Sequence, residues 1–242
     1  MINKLKKIKF WIFLLFFTLY SESVMAGPGG IIVKTIERSF WVKVFLVILF
    51  LIFSPFIFYL WYTEKAKIRK TYRNLRKISK TNENFNWMFL KVNLKNSFLR
   101  IHRAWKKEDM KLASELMTDW YWQNQQLVYL AQWEEDGLIN ICNIKELNFM
   151  EPVHFEYKDE NNGNGSRIMV HMNALMEDYL AKRDTDEIIE GEKGFNNRGT
   201  VWTFILKNDK WLLENIESCI TVDQYIKLKN IMPEFNRKKA LS

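Results

Sequence analysis

The sequence feature that most constrains the fold is a long apolar run at residues 40–62. Nineteen consecutive residues, from Val44 to Tyr62, carry no charge. A helix rises about 1.5 Å per residue, so such a run reaches about 28 Å, close to the ~30 Å hydrocarbon core of a bilayer. The run contains Pro55, which helices in bilayers tolerate. It therefore predicts one transmembrane helix over residues 40–62.

The residues before this run have the organisation of a secretory signal. A lysine-rich start precedes eleven largely apolar residues, Phe10 to Tyr20, and small residues ending at Ala26 follow. An apolar stretch of ~7–15 residues suits the middle of a signal peptide and is too short to span a bilayer. We expect a signal peptide over residues 1–26 and a periplasmic spacer over residues 27–39. An uncleaved short anchor is the alternative.

The charges on the two sides of the apolar run are asymmetric, which predicts its orientation. Before the run, the mature chain carries only three cations, Lys34, Arg38 and Lys43. Eight cations follow it: Lys65, Lys67, Arg69, Lys70, Arg73, Arg76, Lys77 and Lys80. Cytoplasmic flanks carry the excess of Lys and Arg. We therefore expect a single-pass protein of the bacterial cytoplasmic (inner) membrane, with its C-terminal domain in the cytoplasm.

These eight cations lie on a predicted basic juxtamembrane helix at residues 63–82. Ile68, Tyr72 and Leu75 share one side of it, and the cations surround the rest. Such a helix can rest on anionic lipid, where each cation contributes about 1 kcal/mol. RNA phosphate, including ribosomal RNA, attracts the same charges. We prefer lipid because no aromatic residues are interleaved as in RNA-recognition motifs; a solvated linker is the simpler alternative, and no DNA partner is expected.

A soluble domain is predicted at residues 83–232, with a frayed tail at residues 233–242. Its first helix has an inward stripe with helical spacing: Trp87, Leu90, Leu94, Phe98, Ile101 and Trp105. Asp109 is expected to cap a second, short helix. A third helix is predicted over residues 119–136, with Trp120, Leu127, Leu130 and Ala131 facing inward.

After the helices the pattern changes to alternation with period two. Strands are predicted around residues 153–157, 168–174, 200–206 and 211–216, with a turn at residues 161–165 and a last helix at residues 222–230. Residues 182–197 are expected to form a polar, acidic loop. Helices followed by a run of antiparallel strands indicate an α+β domain with three helices packed on one face of a curved sheet.

Residues 85–228 resemble the Tim-forty-four-like family. The matching residues are Phe98-x-x-Ile101-x-x-Ala104-Trp105-x-x-x-Asp109 with Ala113 and Leu116, then Leu127, Gly137 and Asn140, then Val201-Trp202-x-Phe204 and Trp211-Leu212-Leu213-x-x-Ile216. The resemblance implies a cone-shaped fold like that of nuclear transport factor two, a membrane-tethering role and no catalytic residues. The chain departs from the family in its short GPGG spacer and its long acidic loop, so import-motor partners are not carried over.

No catalytic, metal or cofactor site is expected. His154 and His171 are candidate cross-strand neighbours, but period two places them opposite the apolar face, so we expect them solvated or in a partner groove rather than holding a metal. His102 lies beside the inward stripe with no nucleophile placed to use it. Cys142 and Cys219 have no metal-ligand spacing. Free thiols in a reducing cytoplasm are the expectation, and a disulfide in a periplasmic domain is the alternative.

Trp120, Tyr121 and Trp122 form a candidate partner groove for a peptide or lipid, since three adjacent aromatic residues cannot all face the core; covering the open end of the cone is the alternative. Together these features predict a membrane-anchored, non-enzymatic interaction or tethering protein that binds an unidentified protein partner, an anionic membrane surface, or both. A small-ligand-binding or enzymatic cone domain is one alternative. A secretion-apparatus scaffold with its domain in the periplasm is the other. The oligomeric state is not predicted.

Overall fold

The computed structural model describes residues 40–158, 161–218 and 222–233. The predicted signal peptide, the spacer and most of the C-terminal tail lie outside the described residues. The chain divides into two compact units, the first ending at Thr63 and the second beginning at Glu64.

The first helix, α1, runs from Phe40 to Ile78 and contains Pro55. It is the one helix among the described residues that is long and apolar enough to cross a membrane, with a mean hydropathy of 2.6 in its most apolar window and none of that window buried. This finding fits a single-pass membrane protein.

The basic part of α1 belongs to the fold of the second unit. Leu75 and Ile78 are buried in the main core, and Ile68 is buried in a second cluster. The sequence analysis separated a basic helix at residues 63–82 from a domain beginning at residue 83. The structure differs because the apolar side of this helix is covered by the domain and is not available to lie on lipid.

The next helices follow the predicted pattern closely. Helix α2 spans Trp87–Lys106, and its stripe of Leu90, Leu94, Phe98 and Ile101 is buried, as expected. A 3₁₀ segment follows at Met110–Leu116. The Asp109 side chain accepts a hydrogen bond from the backbone N–H of Lys111 at 3.1 Å, which confirms the predicted cap.

The third predicted helix is built from three pieces: α3 at Asp119–Asn124, a π-helical segment at Gln125–Leu130 and α4 at Ala131–Glu135. Tyr121 and Leu130 are buried, whereas Trp120 and Leu127 are exposed. Ala131 is exposed as well. The predicted inward set of Trp120, Leu127, Leu130 and Ala131 is therefore wrong in three of its four members. A π segment rotates less per residue than an α-helix, so it shifts the register of the residues within and after it, here Leu127, Leu130 and Ala131.

The described residues form a four-stranded antiparallel sheet with strand order β1-β2-β3-β4, which confirms the α+β class. The strands span Leu138–Glu156, Arg167–Lys182, Ile188–Lys207 and Lys210–Ser218. Most of the predicted acidic loop is strand, since Glu190 and Glu192 pair with Leu180 and Asp178. Its polar side chains are tolerated because this end of β3 is exposed.

Both faces of the sheet are covered where the first three strands meet the two hydrophobic clusters. Ile168 and Val170 face the main core, while the intervening Met169 faces the second cluster with residues of helix α5, Val222–Lys227. His154, predicted to be solvated, is 2% exposed because α5 and α1 cover that face. His154 lies opposite Met169, and His171 opposite Glu151, so the two histidines are not directly paired.

Candidate functional site

A cavity of about 350 Å³ lies between α2, the π-helical segment and the sheet. Polar and ionisable side chains line much of it, together with the rings of Trp105 and Trp133. The residues that carry its chemistry are His102, Asn140, Cys142, Asp178, Glu190 and Arg198. The sequence patterns do not predict this polar cavity.

His102 is a neutral, fixed member of this cavity. Burial lowers its pKa to about 4. Its Nδ1 lies 2.8 Å from the carbonyl oxygen of Phe98, which can only accept a hydrogen bond, so Nδ1 carries the proton. The ring stacks on Trp202 with centroids 5.4 Å apart. The carbonyl of Phe98 and the ring of Trp202 therefore fix the orientation of this imidazole.

Asp178 and Arg198 supply opposite charges to the cavity. Burial raises the pKa of Asp178, and the nearby Arg198 opposes that shift. The Nε of Arg198 is buried and has no hydrogen-bond partner within the part of the chain that the structure describes. Such a group is a donor available to a ligand, because a buried donor left unpaired costs free energy.

Cys142 does not supply a nucleophile. It is a buried free thiol, and burial raises its pKa to about 12. Nucleophilic cysteines need a lowered pKa. Its partner in the disulfide alternative, Cys219, lies outside the described residues. The cavity can therefore hold a small polar molecule by hydrogen bonds and ring contacts.

Arg198 could have been found from the sequence. It lies two residues before Thr200 on β3 and four before Trp202, so period two places it on the same side of the strand as that buried ring. The predicted strand begins at Thr200 and the predicted loop ends at Asn197, so Arg198 is assigned to neither. The error in the strand boundary therefore hid the cavity.

The eight predicted anion-binding residues lie on α1 and the turn that follows it. Lys65 forms an ion pair with Glu151 at 3.0 Å and is partly shielded. The other seven side chains are exposed: Lys67, Arg69, Lys70, Arg73, Arg76, Lys77 and Lys80. The cations lie on the solvent side of the basic part of α1 and the turn after it. The opposite side of this helix is packed into the domain through Ile68, Leu75 and Ile78.

The three aromatic residues of the predicted groove are divided between surface and core. Trp120 is 67% exposed, whereas Tyr121 is buried and burial raises its pKa. Trp122 is half-buried, and its Nε1 donates to Asp119 at 3.4 Å. These residues therefore do not line one groove. Leu127 and Val128, about two helical turns after Trp120, are also exposed. Neither was predicted to lie at the surface.

No cluster of three His, Cys, Asp or Glu side chains with metal-binding geometry occurs among the described residues. His154 approaches Glu156 at 3.4 Å, and burial lowers its pKa. Its Nδ1 is buried and unpaired within the described ranges. This pair is a local contact on the face of the sheet that α5 covers, and His171 lies two residues along β2 from Met169, the residue that pairs with His154.

Neither a protein-family model nor a curated protein matches this chain. Among solved structures, it is similar to the crystal structure of the intermembrane space region of chloroplast protein ARC6, at 8% identity. The similarity covers 52% of this chain and 92% of that chain, with a TM-score of 0.35. A match this distant supports no assignment of fold or function.

Proposed function

We propose that this chain is a non-enzymatic tethering protein of the Tim-forty-four-like type. In this proposal, residues 1–26 are a signal peptide and residues 40–62 anchor the chain in the bacterial cytoplasmic membrane. A cone-shaped domain, like that of nuclear transport factor two, lies in the cytoplasm. It binds a protein partner, an anionic membrane surface, or both.

The observation that carries the proposal is the exposed basic side of α1. Six exposed cations lie on the basic part of α1, whose apolar side is buried in the domain, and Lys80 is exposed in the turn that follows. Lys67 follows Tyr62 by only five residues, so the covalent chain keeps it close to the end of the apolar run. Each cation near an anionic surface contributes about 1 kcal/mol. The contact is then electrostatic, because the apolar side of the basic part of α1 is buried in the domain and cannot insert into the lipid.

Lysine labelling in nanodiscs tests the lipid contact. The full chain is placed in anionic or zwitterionic discs and modified with an uncharged acylating reagent, and peptides are quantified by mass spectrometry. We expect Lys67, Lys70 and Lys77 to be protected in anionic discs only. Lys111, exposed on the 3₁₀ segment, is the matched control and should react equally in both. Equal reactivity of all four lysines in the two discs would contradict the lipid contact.

Protease treatment of intact spheroplasts tests the orientation, because only periplasmic segments are accessible without lysis. We expect the domain to survive until the membrane is broken. Digestion before lysis would reject the cytoplasmic assignment and favour a secretion scaffold with a periplasmic domain.

A second candidate function is the binding of a small molecule in the cavity, which the unpaired Nε of Arg198 favours. The cavity size lies at the lower end of the ~300–1,000 Å³ typical of ligand pockets. A panel of small carboxylates should then raise the unfolding temperature of the parent chain and have no effect on Arg198→Gln. Equal responses of the two proteins would argue against binding at this cavity.

A further inference from the structure

The outer side of the helical segment Asp119–Glu135 is apolar and uncovered. Trp120, Leu127 and Val128 are 67%, 70% and 51% exposed. Leu127 and Val128 lie seven and eight residues after Trp120, about two helical turns away, so the three share one side. We call Trp120, Leu127 and Val128 the outer face.

The π-helical segment creates this face. In an uninterrupted α-helix, residues nine apart such as Tyr121 and Leu130 point in opposite directions. Both are buried here because the π segment rotates less per residue. The Gln126 side chain holds the segment in place: its Oε1 accepts from the Met110 N–H at 2.8 Å, and its Nε2 donates to the Glu108 carbonyl at 3.3 Å. The core is thus complete without the outer face.

The helical segment that carries the outer face has charges of one sign, and we call its four carboxylates the acidic rim. Asp119, Glu134, Glu135 and Asp136 are all exposed, and residues 119–136 contain no Lys or Arg. The whole chain, by contrast, has a net charge of +8. A local acidic rim on a basic protein repels anionic lipid and attracts a cationic partner.

We propose that the outer face docks a cationic amphipathic helix of a partner protein. This deepens the proposed tethering function by naming the chemistry of its partner. An apolar stripe on the incoming helix would cover Trp120, Leu127 and Val128, and its Lys and Arg would meet the acidic rim. A second copy of this chain fits less well, because the basic helix it offers has Ile68, Leu75 and Ile78 already buried.

Peptide binding to the full chain in zwitterionic nanodiscs tests this proposal without depending on the membrane orientation. The probe is a synthetic amphipathic helix of Leu and Lys, about 18 residues or five turns long. The control probe has Glu in place of every Lys. We expect fluorescence anisotropy to detect binding of the Lys probe, little binding of the Glu probe, and weaker binding of the Lys probe as salt is raised.

Matched variants locate the binding. Trp120→Ala and Leu127→Ala are each expected to weaken binding of the Lys probe at least tenfold, about 1.4 kcal/mol. Met88→Ala removes a side chain that is 74% exposed on α2 and should leave the affinity unchanged. All three positions are exposed, so the variants should fold, which unchanged thermal unfolding will verify. Equal affinity of Trp120→Ala and Met88→Ala, or equal binding of the two probes, would overturn the proposal.

Photo-crosslinking in cells identifies the natural occupant. A photoreactive amino acid replaces Leu127, and the crosslinked peptide is sequenced. A peptide from another protein with Lys or Arg beside a helical apolar stripe supports the proposal. Crosslinks to lipid, to a second copy of this chain, or to an acidic segment overturn it. None of these outcomes would reject the tethering function, which is decided separately by lysine protection and protease accessibility.

Discussion

Replacing Leu75 by Ala tests whether the basic part of α1 is a structural element of the domain. Leu75 is fully buried in the main core. The substitution removes about three methylene equivalents at about 0.8 kcal/mol each, so transfer alone accounts for about 2.4 kcal/mol. The cavity left behind raises the usual cost to about 2.7–5 kcal/mol. We expect the free energy of unfolding to fall by about 3 kcal/mol, a large part of the ~5–15 kcal/mol typical of a domain.

Urea-dependent pulse proteolysis of the full chain in nanodiscs measures this loss. Lys77→Ala is the matched control, because Lys77 is exposed on the same helix and its removal should change the free energy of unfolding by less than about 0.5 kcal/mol. If Leu75→Ala changes the free energy of unfolding as little as Lys77→Ala does, residues 64–78 form a solvated linker and Leu75 does not pack in the core.

Three further predictions concern the cavity and its surroundings. Burial lowers the pKa of His102 from 6.5 to about 4, so only the unfolded chain binds this proton between those pH values; stability should fall by about 3 kcal/mol as pH drops through this window, and His102→Asn should flatten that slope in pH-dependent unfolding. Gly191→Ala would place a β-carbon 2.8 Å from a backbone oxygen of β2, whereas the β-carbon added by Gly137→Ala would meet nothing within 4 Å. Both glycines have positive φ, so the close contact should make the free energy of unfolding of the Gly191→Ala variant lower than that of the Gly137→Ala variant by about 1 kcal/mol or more. Cys142 should resist alkylation at about pH 8 until the chain is denatured, as quantified by peptide mass spectrometry, because burial raises its pKa to about 12; equal labelling of the native and denatured chain would contradict its burial.

The parts of the fold that depend on regular local patterns were predictable. The stripe of Leu90, Leu94, Phe98 and Ile101 follows α-helical spacing without interruption, and the structure buries all four. The Asp109 cap is also a local signal, since it depends on the two residues that follow it. In both cases the interaction lies within a few residues along the chain, so periodicity and side-chain chemistry are sufficient.

The candidate site was much less predictable, because non-local contacts decide it. An acidic segment that resembles a loop becomes strand once Asp178 and Leu180 of β2 are available to pair with it, and only that extension brings Arg198 into the cavity. His154 is buried because α5, distant in sequence, covers its face of the sheet. The burial of His154 leaves no signal in the local pattern, whereas period two indicates the side of β3 on which Arg198 lies once the strand is extended to it.

The sequence by itself determined the length and composition of the apolar run, the excess of cations after it and the order of helices before strands. These are properties of consecutive residues. The tertiary structure alone decided that Leu75 lies in the core and that the π segment turns Leu130 inward while leaving Trp120 and Leu127 outside. The physical reason is that an amphipathic pattern defines the sides of a helix, whereas packing against the rest of the domain determines which side is covered.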